Sequence, residues 1–305
     1  MNQPSRLSQW FNRRGWSDIV IAAPYLWLLV FFLVPFLIVL AMSFATRTPT
    51  APPFGYGGEH PLLNLAGYAR LFTDDLYIRA FLTSLVNAFA TMILCLLIGY
   101  PMALGLTRVS KGWRNILLML VILPFWTSFL LRVYAWMGLM GKNSWFNNLL
   151  TDIWNFIVPL DWAVKSIPMM HSNFAVVLVM VYTYLPFMIL PLYANLERLD
   201  PTLDEAAMDL GTRPFGVFWD VTLPQSIPGI IAGGMLVFIP AAGELVIPTL
   251  VGDAGSPMIG RVISDEFSQA NDWPMASSVA VALLLLMVVP TMIYAHYQAK
   301  AEGTK

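Results

Sequence analysis

Six long runs of apolar residues, separated by shorter polar segments, dominate the chain. The runs are residues 19–43, 81–106, 115–140, 173–196, 227–250 and 275–297. About 20 helical residues cross the hydrocarbon core of a bilayer, and each run reaches that length. The first run is also too long for the core of a signal peptide, so it predicts an uncleaved anchor. The pattern therefore predicts an all-α integral membrane protein with six transmembrane helices.

Composition and charge agree with this pattern and limit the chemistry that the chain can carry. Of the 305 residues, 58% are hydrophobic and only 11% are charged, which is too few charges for a water-soluble surface. The formal net charge of −1 gives no overall field that would attract nucleic acid. Cys95 is the only cysteine, and His60, His171 and His296 are far apart in sequence. The sequence therefore predicts no metal site and no cofactor bound by this chain.

The distribution of lysine and arginine predicts the orientation in the membrane. Basic residues are dense before the first span, in the short second loop and at the C-terminal end, and sparser in the longer loops 44–80, 141–172 and 251–274. Basic flanks stay in the cytoplasm, so both termini are predicted to be cytoplasmic. The residues that decide the orientation are Arg6, Arg13, Arg14, Arg108, Lys111, Arg114, Lys300 and Lys305.

The loop 197–226, between the fourth and fifth spans, contains residues that typically begin and end short helices. Asp200 suits an N-cap, Pro201 a first helical turn, and Gly211 a left-handed stop. A second helix can start near Pro214 and run towards the fifth span. The product would be a helix-turn-helix on the membrane surface. A plain amphipathic interfacial helix is the alternative interpretation.

The residues in this loop resemble a known signature. Glu205-Ala206-Ala207, three further residues, Gly211, nine further residues and then Val221-Thr222-Leu223-Pro224 resemble the EAA motif of bacterial ABC importer permeases, with valine where isoleucine is usual. The resemblance implies that this segment is the cytoplasmic coupling helix, which docks on a separate ATPase. The coupling residues would be Glu205, Ala206, Ala207, Gly211, Leu223 and Pro224.

The chain lacks a nucleotide-binding loop of its own. The nearest approach, Gly141-Lys142-Asn143, has neither the leading glycine nor the hydroxyl residue of a phosphate-binding loop. We therefore expect a transport subunit that is not an enzyme, with ATP and Mg²⁺ bound by the partner ATPase. No catalytic residue is predicted.

The resemblance extends beyond the loop. Segments 122–129, 132–136 and 238–244, and residues 259–261 with 272–274, resemble spermidine/putrescine permeases. This resemblance implies a type I ABC importer permease fold in the bacterial inner membrane and translocation of polyamines. It also implies three partners: a second homologous permease subunit, a cytoplasmic ABC ATPase dimer and a periplasmic polyamine-binding protein.

With this resemblance, the chain divides into an N-terminal tail, an anchor, a loop, a permease core and a C-terminal tail. The cytoplasmic N-terminal tail is 1–18, the first transmembrane helix 19–43, the periplasmic loop 44–80, the core with five transmembrane helices 81–297, and the cytoplasmic C-terminal tail 298–305.

Arg132 and Glu244 are the only Asp, Glu, Lys or Arg residues inside the six predicted spans. Charge is costly in lipid and usually faces a pathway or a partner. Two interpretations remain open: an ion pair between helices, or a Glu244 carboxylate that faces a cationic substrate while Arg132 extends towards water. Aromatic faces also attract ammonium groups, which adds Trp126, Tyr134 and Trp136 as candidates, although each also suits packing or the interfacial belt.

Two alternative interpretations concern the transported substrate and the energy source for transport. The EAA motif concerns ATPase docking, so an ABC permease for a sugar, amino acid, phosphate or iron carrier is an alternative. A secondary transporter also uses broken helices and sparse buried charge, but would not need the EAA spacing. Separately, Gly229 and Gly233 form a Gly-x-x-x-Gly step that predicts close helix packing in the fifth span.

Overall fold

The computed structural model describes residues 20–56, 63–157 and 164–302, without the side chains of residues 293–302. The predicted tail 1–18 lies outside the described residues. The helices are α1 (Val20–Met42), α2 (Ala66–Thr73), α3 (Asp75–Arg108), α4 (Lys111–Trp126), α5 (Phe129–Met140), α6 (Trp145–Ile157), α7 (Asn173–Leu196), α8 (Pro201–Asp209), α9 (Pro214–Ala242), α10 (Val246–Val251), α11 (Ile259–Ser268) and α12 (Trp273–Glu302). The strands are β1 (Thr46–Arg47) and β2 (Phe54–Gly55).

Five of the described helices are long and apolar enough to cross a membrane: α1, α3, α7, α9 and α12. The pair α4 and α5 makes a sixth span if the two are counted together. This agrees with the six predicted spans. Helix α3 begins at Asp75, before the predicted start at residue 81, because the side chain of Asp74 caps it by accepting a hydrogen bond from the backbone of Leu76 at 3.0 Å.

The third predicted span is broken. Helices α4 and α5 meet at an angle of 92° across Thr127 and Ser128, and the backbone of Thr127 is extended. Pro124 lies in the last turn of α4, which tightens to a 3-10 helix over Leu123–Trp126. The carbonyl of Pro124 accepts hydrogen bonds from the backbone and the hydroxyl of Thr127, at 3.2 and 2.8 Å. The break therefore satisfies part of its own backbone, as lipid requires.

The fifth span differs from the prediction at both ends. The expected short helix near Pro214 is continuous with the span, since α9 runs from Pro214 through a π-helical turn at Phe218–Thr222 to Ala242. The predicted continuation to residue 250 is interrupted at Gly243, and α10 starts as a separate helix at Val246. Glu244 thus lies between two helices and not inside one.

The chain divides into two compact units, of which the larger comprises Leu71–Asp265 and the residues from Ala282 onward. Its core is formed by α3, α7 and α9. Gly233 packs against Met188 and Gly229 against Asn195, so closely that added methyl carbons would lie 2.8 and 2.7 Å from those side chains. The prediction of close packing at the glycine step is confirmed. Cys95 is fully buried in the same core.

The smaller unit comprises the described residues up to Arg70 together with Glu266–Val281. Its strands pair antiparallel, with Thr46 opposite Gly55. Arg47 donates to the carbonyl of Ala270 at 2.5 Å and lies 3.7 Å from the carboxylate of Asp272. The other Asp272 oxygen accepts from the backbone of Met275 at 3.0 Å and caps the first turn of α12.

Candidate functional site

The EAA loop, residues 197–226, contains helix α8 followed by a tight turn. Asp200 caps α8 by accepting from the backbone of Thr202 at 3.0 Å, and this hydrogen bond lowers the pKa of the exposed Asp200 carboxyl below its ordinary value. Gly211 has φ +90°, the left-handed conformation predicted for it. The amides of Gly211 and Thr212 donate to the carbonyls of Met208 and Ala207, at 2.9 and 3.1 Å. These two bonds close a Schellman motif, which fixes the direction in which the chain leaves α8.

The predicted coupling residues present a small-residue surface on α8. Glu205 and Ala206 are exposed and Ala207 is half-buried, so the backbone of α8 is open to close approach. Leu223 and Pro224 lie beyond the π-helical turn in α9, with Leu223 half-buried and Pro224 exposed. Exposed apolar side chains continue this surface, at Leu203, Met208, Leu210, Phe215 and Trp219.

A few polar contacts attach the EAA loop to the bundle. The hydroxyl of Thr222 donates to the carboxylate of Asp204 at 3.4 Å, which joins α9 to α8. At the start of the loop, Glu197 accepts from the guanidinium of Arg114 at 2.7 Å. The loop is therefore a folded unit with defined attachments to α4 and α9.

Glu244 is the centre of a second site, at the break between α9 and α10. One carboxylate oxygen accepts from the backbone amides of Val246 and Ile247, at 3.0 and 3.4 Å, and caps α10. The other oxygen accepts a hydrogen bond from the hydroxyl of Tyr184 on α7. Helix α11 closes the site from another side, because a methyl carbon at Gly260 would lie 2.6 Å from the carbonyl of Glu244. The carboxylate is half-buried and supplied with donors by its own chain.

The predicted ion pair between Arg132 and Glu244 does not form among the described residues. The guanidinium of Arg132 instead lies 5.7 Å from the ring centroid of Phe125 and 5.8 Å from that of Phe129. The prediction placed both charges at similar depth by counting positions along their two spans. Both helices are broken, so Arg132 follows one break and Glu244 occupies another.

A row of aromatic rings connects the two charged residues. Phe125 contacts Phe187 with centroids 5.1 Å apart, and Phe187 contacts Tyr184 at 6.2 Å. Arg132 is at one end of this row and Glu244 at the other. These rings form a series of contacts that begins at Arg132 and ends at the Tyr184 hydroxyl on Glu244.

The three aromatic residues predicted beside a pathway are not gathered around Glu244. Trp126 is 77% exposed and Tyr134 is 53% exposed, while Trp136 packs edge-on against Tyr182 at 5.5 Å. Within the described part of the chain, no ring contact or hydrogen bond joins any of the three to Glu244. The aromatic residue that contacts Glu244 is Tyr184.

The sequence interpretation missed Tyr184, Phe187 and the pairing of Arg114 with Glu197. The first two lie in an apolar run where aromatic residues are ordinary, and the last two are separated by 83 positions, so no local pattern joins them. Among the described residues, no group of three His, Cys, Asp or Glu side chains could hold a metal ion. His60 and the side chain of His296 lie outside the described residues.

The membrane-spanning bundle, its surface helix-turn-helix and a charged centre at paired helix breaks define a multi-pass membrane transport subunit. Residues 95–302 match the family described as the binding-protein-dependent transport system inner membrane component. The chain belongs to that family, which places it in an inner membrane.

The chain is similar to named transport permeases along most of its length. It is 38% identical over 283 residues to the spermidine/putrescine transport system permease protein PotB of Haemophilus influenzae, covering 93% of each chain. It is 34% identical to PotB of Escherichia coli, covering 88% of this chain and 92% of that protein.

Solved structures give the fold. A bacterial alginate ABC transporter, solved in complex with a periplasmic protein bound to an alginate pentasaccharide, has a chain that aligns with a TM-score of 0.73 at 17% identity. The alignment covers 97% of this chain and 98% of that one. The predicted type I ABC importer permease fold is therefore confirmed.

Proposed function

We propose that this chain is the permease subunit of an ATP-driven importer that carries polyamines, such as spermidine and putrescine, across the inner membrane. The observation that carries the substrate class is the 38% identity, over 93% of the chain, to a permease named for these two compounds. The site at Glu244 is compatible with a polyamine substrate, because a polyamine is a chain of ammonium groups that carboxylates and aromatic faces attract.

We propose that Glu244 meets the substrate and that Tyr184, Phe187 and Phe125 line its route. In the described structure the carboxylate is held by donors from its own chain. An arriving ammonium group would replace the Tyr184 hydroxyl as the partner of one oxygen, while the other oxygen continues to cap α10. Arg132, at the far end of the aromatic row, would repel a cation and limit how far it binds along the row.

The EAA loop is proposed to dock on a cytoplasmic ATPase dimer, which binds ATP and Mg²⁺. The exposed Glu205 and the small Ala206 suit close docking into a groove of the partner. This assignment places α8 and both termini in the cytoplasm. We propose that a second permease subunit and a periplasmic polyamine-binding protein complete the importer; the alginate transporter of similar fold was solved in complex with a periplasmic protein bound to its own substrate.

The test is uptake of labelled spermidine and putrescine into cells that lack this permease but retain its partner subunits. Wild type should restore uptake. Glu205→Arg should lower uptake at least about tenfold, the factor that corresponds to about 1.4 kcal/mol of lost docking, while Glu205→Gln should retain most of it. Membrane levels of each variant provide the control.

Glu244→Gln isolates the charge of the second site, because glutamine keeps an acceptor oxygen for the cap of α10. We expect it to raise the KM for polyamine while leaving the protein level normal. If wild type restores no polyamine uptake with all partners present, the substrate proposal is wrong. If Glu205→Arg transports as well as wild type, docking through α8 is wrong.

The alternative within this family is a different cargo. The similar fold of an alginate transporter shows that this architecture also occurs with an anionic polysaccharide. Competition by unlabelled sugars, amino acids or phosphate in the same assay separates these possibilities.

A further inference from the structure

The side chain of Arg114 joins three parts of the helical bundle. It belongs to the first turn of α4, is only 19% exposed, and places one nitrogen 2.7 Å from the carboxylate of Glu197. Its other terminal nitrogen donates to the carbonyls of Thr107 and Val109, at 3.2 and 3.5 Å. A single guanidinium therefore connects the end of α3, the start of α4 and the end of α7.

Glu197 is tightly connected to α8. It is the C-cap residue of α7, and the amides of Arg198 and Leu199 donate back to the carbonyls of Asn195 and Leu196, at 3.1 and 3.2 Å. Asp200, which follows directly, caps α8. The connection from Glu197 to α8 is short and hydrogen-bonded, so a displacement of α8 moves Glu197 with it.

Arg114 is equally tied to the broken span. Helix α4 runs from Lys111 to Trp126 without interruption, and the 92° break then leads into α5 and Arg132. The other end of α4 carries Phe125, which begins the aromatic row towards Glu244. A displacement of Arg114 therefore acts on a continuous helical segment that ends beside the proposed substrate route.

We infer that the ion pair between Arg114 and Glu197 is the joint that transfers movement of α8 to the broken span. Arg114 is then a positioning residue for transport. This inference rests on the proposed docking of α8 on an ATPase. Lysine cannot replace Arg114 in this role, because a single ammonium group cannot span the carboxylate and two carbonyls as the planar guanidinium does.

A merely structural role for the pair leads to a different expectation. If Arg114 only caps α3, its loss lowers the amount of assembled complex, but each assembled complex still imports one substrate for the usual amount of ATP. If the ion pair transmits movement, its loss changes the number of ATP molecules hydrolysed for each substrate imported. The ratio of ATP hydrolysed to polyamine imported is therefore the quantity that separates the two roles.

The experiment uses the complete importer, with its binding protein, in proteoliposomes loaded with ATP. Hydrolysis and spermidine uptake are measured together for Glu197→Gln, Arg114→Lys and the reversed pair Arg114→Glu with Glu197→Arg. Asp75→Asn is the matched control, since it removes an exposed ion pair with Arg79 at the other end of α3. Each value is divided by the amount of assembled complex.

We expect Glu197→Gln and Arg114→Lys to raise the ratio of ATP to substrate at least about fivefold, the lower end of ordinary coupling between sites. Hydrolysis should stay within about twofold of wild type, and the KM for spermidine should be unchanged. Asp75→Asn should keep the wild-type ratio, whereas the reversed pair should raise it, because a carboxylate at position 114 cannot donate to the carbonyls of Thr107 and Val109. If Glu197→Gln assembles poorly, Arg114→Lys, which keeps the charge, decides the matter.

The inference is overturned if Arg114→Lys shows the same ratio of ATP hydrolysed to spermidine imported as wild type. The failure of the proposed function has a different signature, since wild type would then import no spermidine or Glu205→Arg would remain fully coupled. If Glu205→Arg uncouples hydrolysis from uptake while both joint variants stay coupled, α8 docks as proposed and only the joint is wrong.

Discussion

Gly233→Ala should loosen the contact between α7 and α9, although alanine is the better helix former. The added methyl carbon would lie 3.0 Å from the carbonyl oxygen of Met188, 3.3 Å from its Cα and 2.8 Å from its sulfur. The sulfur is at the end of a flexible side chain and can move. The two backbone atoms can move only if α7 as a whole shifts away from α9 by a few tenths of an ångström.

The expected magnitude combines two opposing effects. Replacing glycine with alanine in a helix gains about 0.5–1 kcal/mol. Overpacking a tight core costs about 1–3 kcal/mol. The net change for Gly233→Ala is a destabilisation of about 1 kcal/mol at the midpoint of these two ranges. Gly105→Ala is the control, because no atom lies within 4 Å of its added carbon, so only the helix-forming gain of about 0.5–1 kcal/mol remains.

Reversible unfolding of the purified subunit in mixed detergent micelles, followed by circular dichroism, measures both free energies. The two variants should differ by about 2 kcal/mol in the free energy of unfolding, with Gly105→Ala the more stable. Equal stability of the two variants would refute the reasoning, since it would mean that α7 and α9 adjust freely at this contact. Such a result would also weaken any argument that α7 holds Tyr184 at a fixed position.

Two further substitutions test the turn after α8 and the start of α12. Gly211→Ala places a side chain at φ +90° and should cost about 1 kcal/mol locally, which would appear as faster proteolysis at the EAA loop and as lower uptake. Asp272→Ala removes the cap of α12 and the contact with Arg47, and should lower the free energy of unfolding by about 1 kcal/mol. Asp272→Asn can still cap and should lose less; an equal loss in both would assign the effect to the charge pair.

Hydropathy predicted the spans well because lipid imposes a minimum length on any helix that crosses it. The left-handed stop at Gly211 was also predictable, since glycine adopts that conformation without steric cost. The direction of a helix cannot be predicted from hydropathy in the same way. Residues 115–140 remain apolar through the 92° break, and Pro124 alone gives only a weak local signal.

The charged residues were found by sequence, but their partners were not. Counting positions along straight helices placed Arg132 and Glu244 at similar depth, and the breaks after Trp126 and at Gly243 make that count invalid. Tyr184 reaches Glu244 across 60 positions of sequence. Partners at such separations follow from how α7 packs on α9, which no local periodicity reports.

The arrangement around Glu244 has a consequence for how the chain is made. A carboxylate in a membrane-spanning segment costs about 3 kcal/mol when it lacks partners. The donors that hold Glu244 all belong to its own chain: Tyr184 is synthesised 60 residues earlier, and the amides of Val246 and Ile247 follow directly after it. The carboxylate therefore needs no partner subunit to supply a donor to either of its oxygens.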